Sequence, residues 1–414
     1  MFDPRLSSSA DQYCPCSIIV FREHLNVSGR CDDELRNTTR TRLRGVAEAG
    51  QYISVAFVAV TCRETVSVIE EVARKSADSM GVMMLNNQQS TGHAVQDTSS
   101  AWGKVFVEVG AMESMNIFMI KGMRGKESRA SLDVTLNRLV NLQFLEISNT
   151  DWREPIPTTV SRLTQISDLV VTGNSRLVRL PKGLLDQLGA LTDLKLSRNR
   201  LTVLQKLDKN TALESLYLET NQLTALPSLD NNIALMDLYV GGNQLTTLSL
   251  PNNVALRILG ASRNNLTALS LEQNTALKFV SVANNKNLDI IPSWVLQLPK
   301  LEYLDCSGNN ITTLTNDNEF RSNAVDSDAL GRNTSLLLLG GNPVCGTMSS
   351  GNREDTGLMW GGRWNVQCWS QCSSTCGVSI PWNTIHSWLG DGYCSAGCNS
   401  TACGYDGGDC LQEL

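Results

Sequence analysis

The chain has 414 residues, enough for two or three domains, and its apolar (42%), charged (18%) and aromatic (6%) shares are those of a globular protein rather than a disordered one. A net charge of -6 gives no basic field for nucleic acid or an anionic membrane surface. No apolar run is long enough to span a bilayer; the best, AGQYISVAFVAVTC at 49–62, is too short and too polar.

Residues 1–100 carry Cys14, Cys16, Cys31 and Cys62 among the apolar runs SIIVF, YISVAFVAV and GVMML, and their fold is not legible. The thirteen cysteines cluster before residue 63 and after residue 340, with Cys306 alone between. That distribution predicts disulfide-bonded ends in an oxidising compartment, hence an extracellular or cell-surface protein. The first thirty residues lack the basic start, apolar stretch and cleavage site of a secretory leader, so the expectation is that a leader precedes the sequence given. The four N-terminal cysteines are expected to form two disulfides of open connectivity. The segment 101–138 reads as an atypical start of the array that follows, with MNIFMIKG as a degenerate strand that places Ile120 27 residues before Ile147.

From residue 139 the sequence repeats. The units LQFLEISNT, ISDLVVTGN, LTDLKLSRN, LESLYLETN, LMDLYVGGN, LRILGASRN, LKFVSVANN and LEYLDCSGN fit L-x-x-L-x-L-x-x-N, with Thr150 in the first Asn slot. The ladder residues are Asn174, Asn199, Asn221, Asn243, Asn264, Asn285 and Asn309, and a degenerate unit closes at Asn342. Leucines two apart point to one side of a short strand, and the asparagine turns inward to satisfy backbone groups where the chain leaves it. This is the leucine-rich-repeat pattern. It implies an α/β-type repeat solenoid, a horseshoe with parallel strands on its concave face, over residues 101–344, with clear repeats from 139. Cys306 occupies an inward leucine slot and reads as a buried free thiol.

The intervening strand residues face the concave side, where a solenoid binds its partner. Candidate binding residues are Phe144, Asp193, Tyr217, Asp237, Tyr239, Phe279, Tyr303 and Asp305, with Tyr217 beside Tyr239 and Phe279 beside Tyr303 on adjacent strands. Exposed aromatics next to carboxylates suit a protein or glycan ligand. Six Asn-x-Ser/Thr sequons, at Asn26, Asn37, Asn265, Asn310, Asn333 and Asn399, are candidate glycan acceptors. Asn265 and Asn310 arise from the repeat's own NNLT and NNIT.

Residues 345–371 open at the cysteine of GNPVCG and run into the Trp-rich LMWGGRWNVQCW. This segment resembles the cysteine cap of extracellular leucine-rich-repeat proteins, which implies a Cys345–Cys368 disulfide. The last stretch, GDGYCSAGCNSTACGYDGGDC at 390–410, is too poor in apolar side chains to hold itself together. Asp391, Asp406 and Asp409 are hard oxygen ligands among Gly-rich turns, a donor set for Ca2+ rather than zinc. The cysteine spacing with DGGDC resembles the Lin-12/Notch repeat, a small disulfide-rich calcium-binding module, over roughly 372–410. The resemblance implies Cys372–Cys403, Cys376–Cys398 and Cys394–Cys410. The seventeen residues between Cys376 and Cys394 exceed the usual link, and a register using Cys368 and Cys372 stays open.

Catalytic signatures are missing from the sequence. KGMRGKES at 121–128 has the wrong glycine spacing for a phosphate loop, and His24, His93 and His386 are scattered. The expectation is a non-enzymatic recognition protein. The alternative is the ectodomain of a receptor, kinase-like, whose membrane span and catalytic part lie beyond the sequence given.

Overall fold

The computed structural model describes residues 115–122, 132–152, 156–314 and 335–348, together with the strand backbone at 15–20, 25–30, 53–58, 80–86, 358–360 and 364–367. The chain divides into two compact units, Met1–Leu213 and Glu214–Leu414.

In the first unit, β1 (Pro15–Val20) pairs antiparallel with β2 (Leu25–Arg30) and with β3 (Ile53–Val58). Parallel pairing then runs without a break from β3 through β4 (Met80–Asn86), β5 (Ile117–Lys121), β6 (Phe144–Ser148) and β7 (Asp168–Thr172) to β8 (Asp193–Lys195). Ile120 lies opposite Ile147, the alignment expected from the degenerate strand. The parallel ladder reaches back to Ile53, into the stretch whose fold the sequence left open.

In the second unit a parallel ladder runs through β9 (Ser215–Tyr217), β10 (Asp237–Tyr239), β11 (Ile258–Gly260) and β12 (Phe279–Ser281). Past a two-residue strand, β13 (Ile290–Ile291), it continues through β14 (Tyr303–Asp305). Beyond β15 (Thr313–Leu314), which pairs with β13, come β16 (Ser335–Leu338), the antiparallel β17 (Leu358–Trp360) and the parallel β18 (Trp364–Gln367). The connections are mostly extended, with short helical pieces that include an α-helical turn at 132–136, 3-10 turns at Thr158–Arg162 and Leu185–Gln187, α1 (Ser293–Gln297) and α2 (Pro343–Met348).

Each repeat sends its leucines to one side. In the β11 repeat Leu256, Leu259, Ala261, Leu266, Leu269 and Leu271 are all at most 5% exposed. A buried leucine contributes about 1.5–3 kcal/mol, so one repeat gains most of its stability from neighbours it cannot do without. Cys306 is wholly buried and a free thiol, as its leucine slot requires.

The ladder asparagines are buried and bonded as their position dictates. Asn264 donates its Nδ2 to the carbonyls of Val240 (3.0 Å) and Ala261 (3.1 Å), and its Oδ1 accepts from Leu245 N (3.0 Å). Asn243 and Asn285 repeat that geometry. Thr150, in the first Asn slot, bonds through both its N and Oγ1 to Asn174 Oδ1. The residue before each ladder position turns the chain with a positive φ. Gly173, Gly242, Gly308 and Gly341 lie at 65–76°, and Asn149, Arg198, Thr220, Arg263 and Asn284 at 54–58°. Glycine is required where asparagine precedes it: a Cβ on Gly308 would fall 2.6 Å from Asn284 Oδ1.

A second asparagine row lines the opposite turn. Asn210, Asn232, Asn253 and Asn274 are fully buried. Asn253 Nδ2 donates to Leu229 O (3.0 Å) and Asn232 O (2.9 Å), and Asn274 Nδ2 to Leu250 O (3.0 Å) and Asn253 O (2.8 Å).

Candidate functional site

The leucines fill the inner side of the sheet, so each strand turns its intervening residues to the other face. In the second unit this face carries three rows. Along the N-terminal edge of the strands lie Ser215, Asp237, Ile258, Phe279 and Tyr303. The middle row is Tyr217, Tyr239, Gly260, Ser281 and Asp305, held in register by the parallel pairing. The third row, just past the strands, holds Glu219, Gly241, Ser262, Ala283 and Ser307.

Tyr217 and Tyr239 stack with ring centroids 4.8 Å apart and planes 15° from parallel. The stack corrects one expectation: Tyr239 is only 2% exposed and is no open contact residue, while Tyr217 and Phe279 stay half-buried. Burial, then Asp237, Tyr217 and Glu219, push the Tyr239 hydroxyl far above its ordinary 10.0. Tyr303 is raised likewise, first by burial and then by Asp305 and Cys306.

Three repeats meet in one hydrogen-bonded chain. Ser307 donates to Asp305 Oδ1 from its backbone N (3.0 Å) and its Oγ (2.7 Å). Ser281 Oγ donates to Asp305 Oδ2 at 3.3 Å, and Ser262 Oγ lies 2.6 Å from Ser281 Oγ. Ser281 has one hydroxyl proton and gives it to the carboxylate, so Ser262 is the donor of the pair. Burial raises the Asp305 carboxyl, and the bonds from Ser307 and Ser281 oppose that rise. With its own proton committed inward, Ser262 offers a ligand an acceptor. The strip is therefore acceptor-rich, and no lysine or arginine occupies an outward position of β9, β10, β11, β12 or β14.

In the first unit Phe144, Asp168 and Asp193 are in register on β6, β7 and β8 and half-buried. Beside them Glu146 pairs with Lys121 at 3.0 Å and accepts from Ser148 Oγ at 2.9 Å. Sequence reasoning did not find Ser262 or Ser307, because the two residues before the ladder asparagine read as turn. Their signal was the recurring Ser in SRN and SGN.

Asn265 and Asn310 are exposed. Cys345 is disulfide-bonded, and its partner lies outside the described residues. Also outside lie Asp391, Asp406 and Asp409, the cysteines from Cys368 to Cys410 and the sequons at Asn37, Asn333 and Asn399; Asn26 lies on β2, where only the backbone is described. Among the described residues no group of three or more His, Cys, Asp and Glu could hold a metal ion, and no helix is long and apolar enough to cross a membrane.

Comparison with known proteins agrees with the repeat reading. A leucine rich repeat family model matches residues 164–223, and a second Leucine Rich Repeat model matches 300–322. The Notch LNR-domain model matches 385–411, a stretch that contains Asp391, Asp406, Asp409 and the last four cysteines and leaves Cys372 and Cys376 outside. No curated protein matches the chain. Among solved structures, an internalin (inlF) of Listeria monocytogenes aligns with TM-score 0.47 at 16% identity, over 68% of this chain and 91% of that one. InlJ of the same organism, whose functional domain includes a cysteine ladder, aligns with TM-score 0.46 at 18% identity, over 69% of this chain and 61% of that one. The ectodomain of the Arabidopsis thaliana receptor kinase GASSHO1/SCHENGEN3, solved with CASPARIAN STRIP INTEGRITY FACTOR 2, aligns with TM-score 0.47 at 23% identity, over 59% of this chain and 29% of that one.

Proposed function

We propose that this chain, a leucine-rich-repeat protein with an LNR match near its C-terminus, is an extracellular or cell-surface recognition protein. It binds a protein or glycan partner on the strand face of its second unit, and the Notch-like module is stabilised by calcium. One observation carries the reading: the Ser262–Ser281–Asp305 chain presents acceptors on the strands that carry Phe279 and Tyr303, on a strip without a cationic side chain. A partner rich in donors, whether guanidinium, ammonium, amide or sugar hydroxyl, satisfies such a strip, and the half-buried rings add area at low entropy cost. The disulfide at Cys345 supports the oxidising compartment.

The test is selection of a displayed peptide library and a glycan array against the full chain, repeated with Ser262→Ala and Phe279→Ala. The expected result is enrichment of donor-rich sequences or sugars whose capture falls about tenfold in either variant. Capture by both variants equal to that of the unmutated chain would place recognition elsewhere.

A further inference from the structure

We propose that Asn265 and Asn310 carry N-linked glycans that wall off the C-terminal edge of the strands, so that a partner reaches the recognition strip from the N-terminal edge; the second half rests on the reading above. Each sequon occupies the same place in its repeat, directly after the ladder asparagine. Asn265 and Thr267 are exposed while Leu266 between them is wholly buried, and Asn310, Ile311 and Thr312 repeat the alternation.

The alternation follows from the backbone. Leu266 N bonds to Asn285 Oδ1 at 3.0 Å and Ile311 N to Asn342 Oδ1 at 2.9 Å, which ties each central residue to the next ladder asparagine. Asn265 N and Thr267 N bond to Leu245 O and Thr246 O at 2.8 and 3.3 Å in the preceding repeat; Asn310 N and Thr312 N bond to Leu288 O and Asp289 O at 3.0 and 3.2 Å. With the backbone hung between two repeats, the asparagine amide and the threonine hydroxyl share the solvent side, so a sugar there displaces no contact among the described residues. The buried ladder neighbours Asn264 and Asn309 have their amides committed and are shielded from the same chemistry.

The two sites lie on one edge. The strands are parallel, and each sequon begins five residues past its strand, after Gly260 and after Asp305. With β12 between, they stand two strand spacings apart, about 10 Å. Exposed Gln222, Gln244 and Lys286 hold the same place after Asn221, Asn243 and Asn285. The opposite edge carries Asp237, Ile258, Phe279 and Tyr303, and no sequon falls there among the described residues.

The experiment expresses the full chain behind a secretion leader, with microsome-supplemented translation in parallel, and reads site occupancy by glycopeptide mass spectrometry. Occupancy at both positions is expected, with Thr267→Ala removing the glycan at Asn265 alone and Thr312→Ala that at Asn310 alone. Bare Asn265 and Asn310 in a chain whose other sequons are filled would overturn the assignment whatever the strip binds. For the direction of approach, the selected peptides or sugars are titrated against glycosylated and enzymatically deglycosylated protein. Affinities within twofold are expected, whereas a tenfold gain on deglycosylation would mean that the partner uses the walled edge.

Discussion

Asn264 and Asn265 are neighbours of one residue type with opposite burdens, and replacing each by alanine isolates what the ladder contributes. Asn264→Ala strands the Leu245 N–H, whose acceptor at 3.0 Å is the lost Oδ1, at a cost of about 1–3 kcal/mol for a buried unsatisfied donor. It also removes donors from the carbonyls of Val240 and Ala261, each bond worth about 0.5–1.5 kcal/mol net. The sum centres on about 4 kcal/mol, a large share of the stability of any domain. Asn265→Ala touches an exposed side chain and should cost less than about 0.5 kcal/mol. Asn264→Asp keeps the acceptor and the shape but sets a carboxylate oxygen against those carbonyls, which raises its folded pKa. Stability carried by a raised carboxyl is present below the unfolded value of about 3.9 and is lost as pH rises through the folded one, so this variant should recover in acid where Asn264→Ala does not. Urea unfolding followed by circular dichroism, disulfides intact, reads all three. Costs for Asn264→Ala and Asn265→Ala within about 1 kcal/mol of each other would refute the ladder as a source of stability.

Other outcomes follow from single groups. Asp305, raised by burial, favours the fold most below 3.8 and loses that contribution as pH rises through its folded value, so Asp305→Asn should gain thermal stability over the wild type between pH 4 and pH 7. Cys306, whose thiol burial pushes well up, should react with a thiol reagent only as the repeats unfold, its labelling rate tracking denaturant; rapid labelling of native protein would contradict the burial. Calcium at a hundredfold excess over its Kd should stabilise the full chain's C-terminal module by about 2.7 kcal/mol, an effect erased by chelator or by Asp406→Ala. An unchanged melting profile would remove the metal from the module.

The repeats were legible because two signals coincide: leucines spaced for one side of a strand, and an asparagine at a fixed offset. Even Ile120 could be placed, since FMIK keeps the alternation without the consensus. Strands β3 and β4 could not, because continuous apolar runs such as YISVAFVAV carry no period that separates a buried parallel strand from other cores. The inner row Asn210, Asn232, Asn253 and Asn274 recurs in N-x-A-L at spacings as regular as the ladder's, yet it lies outside the strand template, and only its bonds to carbonyls 21 to 25 residues back reveal it. Tyr239 was misjudged because alternation assigns a side chain to a face and says nothing of what its neighbours cover there.

The polar strip was the hardest part to read, because its unit is not a repeat. Ser262, Ser281 and Asp305 belong to three successive turns, and each alone is ordinary strand composition. Ser281 is the link, accepting from Ser262 and donating to Asp305. Ser281→Ala therefore removes one of the donors that hold the Asp305 carboxyl down, leaving burial and the Ser307 bonds to decide it. The folded carboxyl rises further, so the loss of stability between acid and neutral pH should grow by about 1 kcal/mol, the net worth of one hydrogen bond. The freed Ser262 proton then turns outward, and the strip gains a donor where it had an acceptor. Thermal unfolding at pH 4 and pH 7 checks the first effect, and a shift of the selected ligands toward acceptor-bearing sequences checks the second. A variant with wild-type pH dependence and wild-type ligand preference would show that the three side chains do not act as one chain.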